Sequence, residues 1–187
     1  LSLNFYALKE LQTLTQFHIK DSIPNSFVCV ELKRLAFVRQ VSVIEEKDSL
    51  YYKALRELYL IYNTYECSAE VGYTIASYYH EKANLYNPLQ GVEYKDFHQR
   101  AITLCDSVIQ KFPNSVGAIN CKSLKSSIKT KSYSLIADDV VVKDKPAKAL
   151  LNYKNIEHVY FRVVPIDNEK YAKLTRKKYG KELIEEL

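Results

Sequence analysis

The sequence predicts a protein that is mainly α with a C-terminal β segment. In the first two thirds of the chain, apolar residues recur every three or four positions, as they do on one face of an α-helix. Near the C-terminus the period becomes two, since Val159, Phe161 and Val163 occupy alternate positions. We therefore expect antiparallel helical hairpins in residues 1–130, followed by a β segment in residues 131–187.

The first two helices are predicted on either side of a break at Pro24, which cannot continue a helix. The first ends near His18, and Asn25 or Ser26 is available as N-cap of the second. Their apolar faces hold Ala7, Leu11, Leu14 and Phe17 in the first helix, and Val28, Leu32, Leu35 and Val38 in the second.

The third and fourth helices have predicted N-caps at Asp48 or Ser49 and at Ser68. The loop 87–91 ends the fourth helix. Their buried faces are predicted to hold Tyr51, Ala54, Leu55, Leu58 and Tyr62 in the third helix, and Gly72, Ile75, Ala76, Tyr79, Ala83 and Tyr86 in the fourth.

The fifth helix is predicted to stop at Pro113, and Asn114 or Ser115 is placed to cap the sixth. Short connections of this kind favour antiparallel neighbours. The apolar faces hold Tyr94, Phe97, Ala101, Leu104, Cys105, Val108 and Phe112 in the fifth helix, and Ala118, Cys121, Leu124 and Ile128 in the sixth.

Two segments resemble parts of a tetratricopeptide repeat. The spacing in 101–113 matches the second helix of such a repeat, and Ile75, Ala76 and Tyr79 resemble the first. About a dozen more residues separate the two segments than the standard repeat permits. The sequence therefore predicts a degenerate, tetratricopeptide-like helical hairpin.

Three strands are predicted after residue 131, at 133–137, 147–153 and 158–164, with a further β-branched run at Val140–Val142 and a turn at 143–146. A last helix is expected from about Asn168 to Leu187, without an evident cap or stop. Two or three strands do not make a stable sheet alone. The β segment is therefore expected either to pack on the helices or to be completed by strands of a longer protein.

Composition narrows the function classes. The net charge of +5 is concentrated from Lys111 onward, with the basic segment 175–181 best explained as a solvated helix face. Aromatic residues do not alternate with these basic residues as a nucleic-acid stacking surface requires, so no nucleic acid is expected as partner. No apolar run reaches the length of a membrane span, and no signal peptide is visible. The chain contains no Met, which suggests that its N-terminus has been removed.

The four cysteines show no spacing typical of a zinc site. If a hairpin turns at Pro113, Cys105 and Cys121 face each other, either as buried free thiols or as a disulfide. Motifs for phosphate loops, dinucleotide binding, serine hydrolases and zinc proteases are absent from the sequence. We therefore predict a protein that is not an enzyme and binds no metal or small-molecule cofactor.

The candidate binding residues lie in the predicted fourth helix. Tyrosines at helical spacing usually fill a core, but the concave face of stacked hairpins is the best place for a protein partner. The predicted partner-binding face consists of Tyr73, Tyr78, Tyr79, His80 and Tyr86.

Two segments carry a resemblance to a known family: "KFPNSVGAINCKSLKSSI" at 111–128 and "KPAKALLNYKNIEHVYFRVVPID" at 145–167. In this order, behind helical hairpins, they resemble the N-terminal region of large bacterial alpha-2-macroglobulin-like proteins. The family's Tyr-basic-Asn-aliphatic and Tyr-Phe-Arg pattern corresponds to 153–156 and 160–162. The helix at 30–40 is also similar to an upstream helix of that family.

The resemblance implies that residues 131–187 are a partial β-sandwich of macroglobulin type behind the tetratricopeptide-like helical domain of residues 1–130. It further implies a non-enzymatic scaffold and interaction segment of a protease inhibitor, located in the periplasm or cell envelope. The partner would be a protein, such as a protease bound by the full-length chain, with membrane proximity only through that longer chain. Members of the family often carry a Cys-x-x-Gln thioester, but none of the four cysteines here has Gln three residues later. No functional residue is therefore carried over.

Two other hypotheses remain open. One is a free-standing tetratricopeptide-like adaptor that binds a peptide or protein on its concave face. The other is a hydrolase in which His80 or His98 forms an acid/base pair with a nearby carboxylate, such as Glu81 or Asp96.

Overall fold

The computed structural model describes residues 2–87, 89–138, 145–163, 165 and 167–186. The chain divides into two compact units, Leu1–Thr130 and Lys131–Leu187. The first is helical and the second contains a small sheet and two short helices. The predicted fold class, mainly α with a C-terminal β segment, is confirmed.

The six helices predicted in the first unit are all present. Their bounds are α1 Leu3–His18, α2 Asn25–Val41, α3 Lys47–Ile61, α4 Ser68–Ala83, α5 Phe97–Lys111 and α6 Val116–Lys129. Each of the six helices packs against the next one along the chain. In addition, α4 packs against α6 and contacts α2. As a result, α4 lies at the centre of this unit.

The predicted N-caps are partly wrong. Ser115 caps α6 as expected, because its hydroxyl accepts a hydrogen bond from the Ala118 amide at 3.1 Å. By contrast, the N-caps of α2, α3 and α4 are Pro24, Glu46 and Cys67, and none of these makes a side-chain capping bond. The hydroxyl of Ser68 instead donates to the Tyr65 carbonyl at 2.8 Å and is buried in the preceding turn.

Two hydrophobic clusters fill the interior of the helical unit, and α4 contributes to both. The cluster between α4, α5 and α6 is built from small side chains: Ala69, Ala76, Ala101, Cys105, Val108, Ala118, Cys121 and Ile128. The cluster between α2, α3 and α4 uses larger ones: Val28, Tyr51, Leu55, Leu58, Val71 and Ile75. Small residues therefore bring α4, α5 and α6 close together.

The closest approach involves Gly117 on α6 and Ala69 on α4. A Cβ atom added to Gly117 would overlap the backbone carbonyl of Ala69, which cannot move independently of its helix. Gly117 is therefore required by the closeness of two backbones and not by its own backbone conformation.

Cys105 and Cys121 are completely buried free thiols, which decides between the two states that the sequence left open. The thiol–thiol hydrogen bond with Cys105, together with burial, raises the pKa of Cys121. Both residues belong to the small-residue cluster, where they act as small apolar side chains.

In the second unit, β1 (Ser132–Ala137) pairs antiparallel with β2 (Ala149–Lys154). The register runs from Ser132 opposite Lys154 to Ala137 opposite Ala149. These strands match two of those predicted. The β-branched run at 140–142 lies outside the described residues.

The predicted strand at 158–164 is wrong for its described part, since residues 158–163 have no regular secondary structure. The chain leaves β2 through Asn155, whose φ of 56° is left-handed. Asparagine tolerates this conformation better than most residues, and it turns the backbone out of the extended direction. Alternation of apolar residues was therefore not sufficient to form a strand here.

The C-terminal helix is also different from the prediction. It is divided into α7 (Asn168–Thr175) and α8 (Lys181–Glu186), with Gly180 at φ 60° between them. A cap exists too, because the Asp167 carboxylate accepts a hydrogen bond from the Glu169 amide at 2.9 Å. Among the described helices, none is long and apolar enough to cross a membrane.

The substitution Gly117→Ala tests the close contact between α4 and α6. At an exposed helix position, a change from glycine to alanine raises the free energy of unfolding by up to about 1 kcal/mol, because glycine is a poor helix former. Here we expect a loss of roughly 2–3 kcal/mol in the free energy of unfolding, since the added methyl group meets fixed backbone. Urea denaturation of the intact chain measures this loss of stability.

The matched control is Ser127→Ala, at an exposed position of the same helix. It should change the free energy of unfolding by less than about 0.5 kcal/mol. A Gly117→Ala protein as stable as the wild type, or more stable, would show that the two helices are not in close contact.

Candidate functional site

A groove of about 630 Å³ lies on the surface of the helical unit between α3, α4 and α5. Its size is within the range of about 300–1,000 Å³ that is typical of ligand sites. The residues that line it are Tyr52, Arg56, Tyr59, Leu60, Ile75, Tyr79, Asp96, Gln99, Arg100, Thr103, Leu104 and Ser107.

Helical periodicity explains why these residues share one groove. On α3 they stand at i, i+4, i+7 and i+8 from Tyr52, and on α5 they stand at i, i+1, i+4, i+5 and i+8 from Gln99, so each set follows one face of its helix. Ile75 and Tyr79 are one turn apart on α4, between the two walls. The groove is thus bounded by one face of α3 and one face of α5, with α4 as its floor.

The floor is held in place by aromatic contacts. The hydroxyl groups of Tyr52 and Tyr79 form a hydrogen bond, and the Tyr79 ring meets Phe97 edge to face at 5.2 Å between centroids. Burial and, next, the hydrogen bond between the Tyr79 and Tyr52 hydroxyls raise the pKa of Tyr79 to about 12. At neutral pH Tyr79 is therefore a neutral hydrogen-bonding group and not a base.

The groove walls carry two guanidinium groups. Arg56 on α3 lies with its guanidinium carbon 6.0 Å from the centre of the Tyr52 ring. On α5, Arg100 lies 5.1 Å from the centre of the Phe97 ring. Such cation–π contacts restrict the orientation of an otherwise mobile side chain. Both arginines are exposed and lie beside the apolar floor.

The five residues of the predicted partner-binding face contact different parts of the molecule. Tyr79 lines the groove, whereas Tyr73 packs against the cluster between α4, α5 and α6. Tyr78 stacks on Tyr52 at 5.1 Å on the side toward α2. The half-buried Tyr86 follows the end of α4 in a turn. His80 faces α5, because its Nδ1 lies 3.1 Å from Nε2 of His98.

A network of ion pairs joins α2, α3 and α4 beside Tyr78. The guanidinium of Arg39 donates to Asp48 at 2.7 Å and to both oxygens of Glu81 at 2.9 and 2.5 Å. Lys82 donates to the other oxygen of Asp48. Hydrogen bonds from Arg39 and then Lys82 lower the pKa of Asp48 to about 2.

The hydrolase hypothesis required a histidine paired with a carboxylate. The structure brings His80 and His98 together, while the carboxylate of Glu81 is bound to Arg39 on the far helix. Asp96 lines the groove. Within the described part of the chain, no three His, Cys, Asp or Glu residues are grouped so as to hold a metal ion.

Sequence reasoning missed Arg56 and Arg100. Arg56 stands four residues after Tyr52 on α3, and Arg100 stands four residues after Asp96, the N-cap residue of α5. This is the spacing of residues that share a helical face. That signal was present, but it does not show which polar faces of two separate helices are turned toward each other.

Comparison of the chain with protein-family models, with curated proteins and with solved structures found no match. The function of the chain is therefore inferred from the geometry of the groove and from the residues that line it.

Acid titration tests the ion-pair network through Asp48. Its pKa in the folded state, about 2, lies below the ordinary 3.8, so its stabilising contribution is complete above about pH 5 and is lost as the pH falls toward 2. We expect Asp48→Asn to lower the free energy of unfolding by about 1 kcal/mol at pH 7, a modest value because solvent screens the partly exposed pair. The difference from wild type should shrink below pH 4.

The control is Glu57→Gln, which removes an exposed carboxylate on α3 that forms no ion pair among the described residues. Its free energy of unfolding should stay within about 0.5 kcal/mol of wild type. A difference between Asp48→Asn and wild type that is the same at pH 3 and pH 7 would contradict the assignment.

Proposed function

We propose that the helical unit is a non-enzymatic interaction module that binds an extended peptide segment of a partner protein in the groove between α3, α4 and α5. The observation that carries this proposal is the groove itself, with its aromatic and aliphatic floor and its polar walls. Tyrosine and arginine are the residue types enriched where proteins bind one another tightly.

The length of the groove favours a peptide. Its lining residues on α5 run from Asp96 to Ser107, which is eleven residue steps or about 16 Å along the helix. An extended chain advances about 3.3 Å per residue, so about five residues fit along the wall. An adaptor with a peptide-binding concave face, one of the hypotheses from the sequence, has this kind of site.

The floor supplies the apolar contacts that such binding needs. Leu60 is 59% exposed at the edge of the groove, while Ile75 and Leu104 lie deeper between the helices. Ile75 is already buried, so a partner's apolar residue would remove mainly the surface of Leu60 and Leu104 from water, which contributes about 25 cal/mol for each Å². The tyrosine hydroxyls and guanidinium groups then fix the direction of the peptide.

A second proposal keeps the resemblance to alpha-2-macroglobulin-like inhibitors for the chain as a whole. It is favoured by the sheet of the second unit, where Leu135, Ile136, Leu150 and Tyr153 are 47–64% exposed. Exposed apolar side chains on a two-stranded sheet are typical of a sheet that is completed by further strands. The reading frame after Leu187 tests it: further alternating strands and a Cys-x-x-Gln sequence are expected, and a stop codon would contradict it.

Selection from a displayed library of random nonapeptides tests the peptide-binding groove. Peptides that bind the intact wild-type chain should bind Ser107→Trp at least tenfold more weakly, because the indole fills the groove beside Leu104. Ser107 is exposed on the groove wall, so the substitution should leave the fold intact. Fluorescence anisotropy with the synthetic peptides measures the dissociation constants.

The matched control is Ser126→Trp, which places the same indole at an exposed position of α6, outside the groove. It should change the dissociation constants less than twofold. The proposal is wrong if no peptide is enriched, or if the selected peptides bind Ser107→Trp as tightly as wild type.

A further inference from the structure

The groove has an excess of positive charge at the place where a peptide would lie. Arg56 and Arg100 stand on opposite walls, and Asp96 is the one carboxylate among the lining residues. Two guanidinium groups and one carboxylate leave one positive charge uncompensated.

The other two arginines of the helical unit form ion pairs. Arg34 pairs with Glu31, and Arg39 pairs with Asp48 and Glu81. Among the described residues, neither groove arginine forms an ion pair with a carboxylate. Their charged groups are instead placed over aromatic rings, where their donors remain free to bind.

Both guanidinium groups act electrostatically on the same point of the floor. The positive charges of Arg100 and Arg56 oppose the rise in the pKa of Tyr79 that burial and the Tyr52 hydrogen bond cause. The hydroxyl of Tyr79 is therefore within electrostatic range of both walls. An anion above this hydroxyl would be attracted from two sides.

We propose that the groove recognises an acidic peptide, with an aspartate or glutamate side chain bound between Arg56 and Arg100. This inference rests on the proposed function and specifies the partner. Carboxylate is the anion that the planar guanidinium group binds through two parallel hydrogen bonds. An apolar residue next to the acidic one would cover Leu60 and Leu104 on the two walls.

Asp96 makes the two ends of the groove electrostatically different, which would fix the direction of a bound peptide. It lies one turn before Arg100 at the start of α5, so an acidic residue is favoured toward the arginines and disfavoured beside Asp96. A nucleic acid would instead need a series of basic residues along its backbone, whereas this wall has one arginine and one aspartate. The charges therefore fit a short acidic segment.

Two matched libraries test this inference. Both libraries display random nonapeptides and are selected for binding to the intact chain. In the second library, Asn and Gln replace Asp and Glu. We expect groove-dependent binders, meaning peptides that Ser107→Trp excludes, from the first library and few from the second. The best peptides are then synthesised with Glu, Gln or phosphoserine at the acidic position.

The dissociation constants for four variants identify the recognising groups. Arg56→Gln and Arg100→Gln should each weaken the Glu peptide roughly tenfold but leave the Gln peptide nearly unchanged. Lys53→Gln removes an exposed positive charge of α3 outside the groove and should have less than a twofold effect. Asp96→Asn should tighten the Glu peptide about two- to threefold, since it removes the one opposing charge. Far-ultraviolet circular dichroism and the thermal midpoint establish that each variant is folded.

The failures of the two proposals are distinguishable. If groove-dependent peptides are selected equally from both libraries, or bind Arg56→Gln and Arg100→Gln as tightly as wild type, the acidic specificity is wrong and the peptide groove stands. A phosphoserine peptide that binds at least tenfold more tightly than its Glu counterpart also overturns the carboxylate assignment. If neither library yields a groove-dependent peptide, both proposals fall.

Discussion

Close packing of α4 against α5 and α6 is the constraint on which the helical unit depends. Seven residues of α4 are buried: Ser68, Ala69, Val71, Gly72, Ile75, Ala76 and Ala83. Most of them are small, so neighbouring helices approach its backbone closely, and Gly117 on α6 leaves no room for a side chain against Ala69. Because α3 and α5 both pack on this one helix, a gap remains between them. That gap is the groove in which we place the partner peptide.

Polar contacts hold the opposite side of α4. Arg39 on α2 reaches both Asp48 on α3 and Glu81 on α4, so one guanidinium group links three helices. The same group lies 4.9 Å from the Tyr51 ring centroid, beside the larger hydrophobic cluster. The α2 side is thus held by ion pairs in addition to its hydrophobic cluster, whereas the α5 and α6 side is held by the close packing of small residues. The groove residues are left free of structural ion pairs within the described part of the chain, which suits them for binding.

The sequence predicted the helices of the first unit better than their caps, the strand pairing and the contacts between helices. All six helices of the first unit followed from the spacing of apolar residues, because the position of apolar residues on one face is encoded locally in each helix. The caps predicted at Asp48 or Ser49 and at Ser68 were wrong because both helices already begin at or before these residues, without a side-chain cap. Alternation at 158–163 did not produce a strand, since pairing also requires a partner strand in register. The candidate site was found in part: Tyr79 was expected, but Arg56 and Arg100 depend on the relative positions of α3 and α5, which no local pattern specifies.

Native-state hydrogen exchange of the intact chain tests the central claim most directly, because it measures the free energy of opening for each amide. If α4 is the helix on which the others pack, its amides between Val71 and Tyr79 should be among the slowest to exchange, at the rate of global unfolding. Those of α1, which has no buried residue, should exchange much faster through local opening. Exchange in α4 as fast as in α1 would contradict the account, because the groove would then have no stable floor.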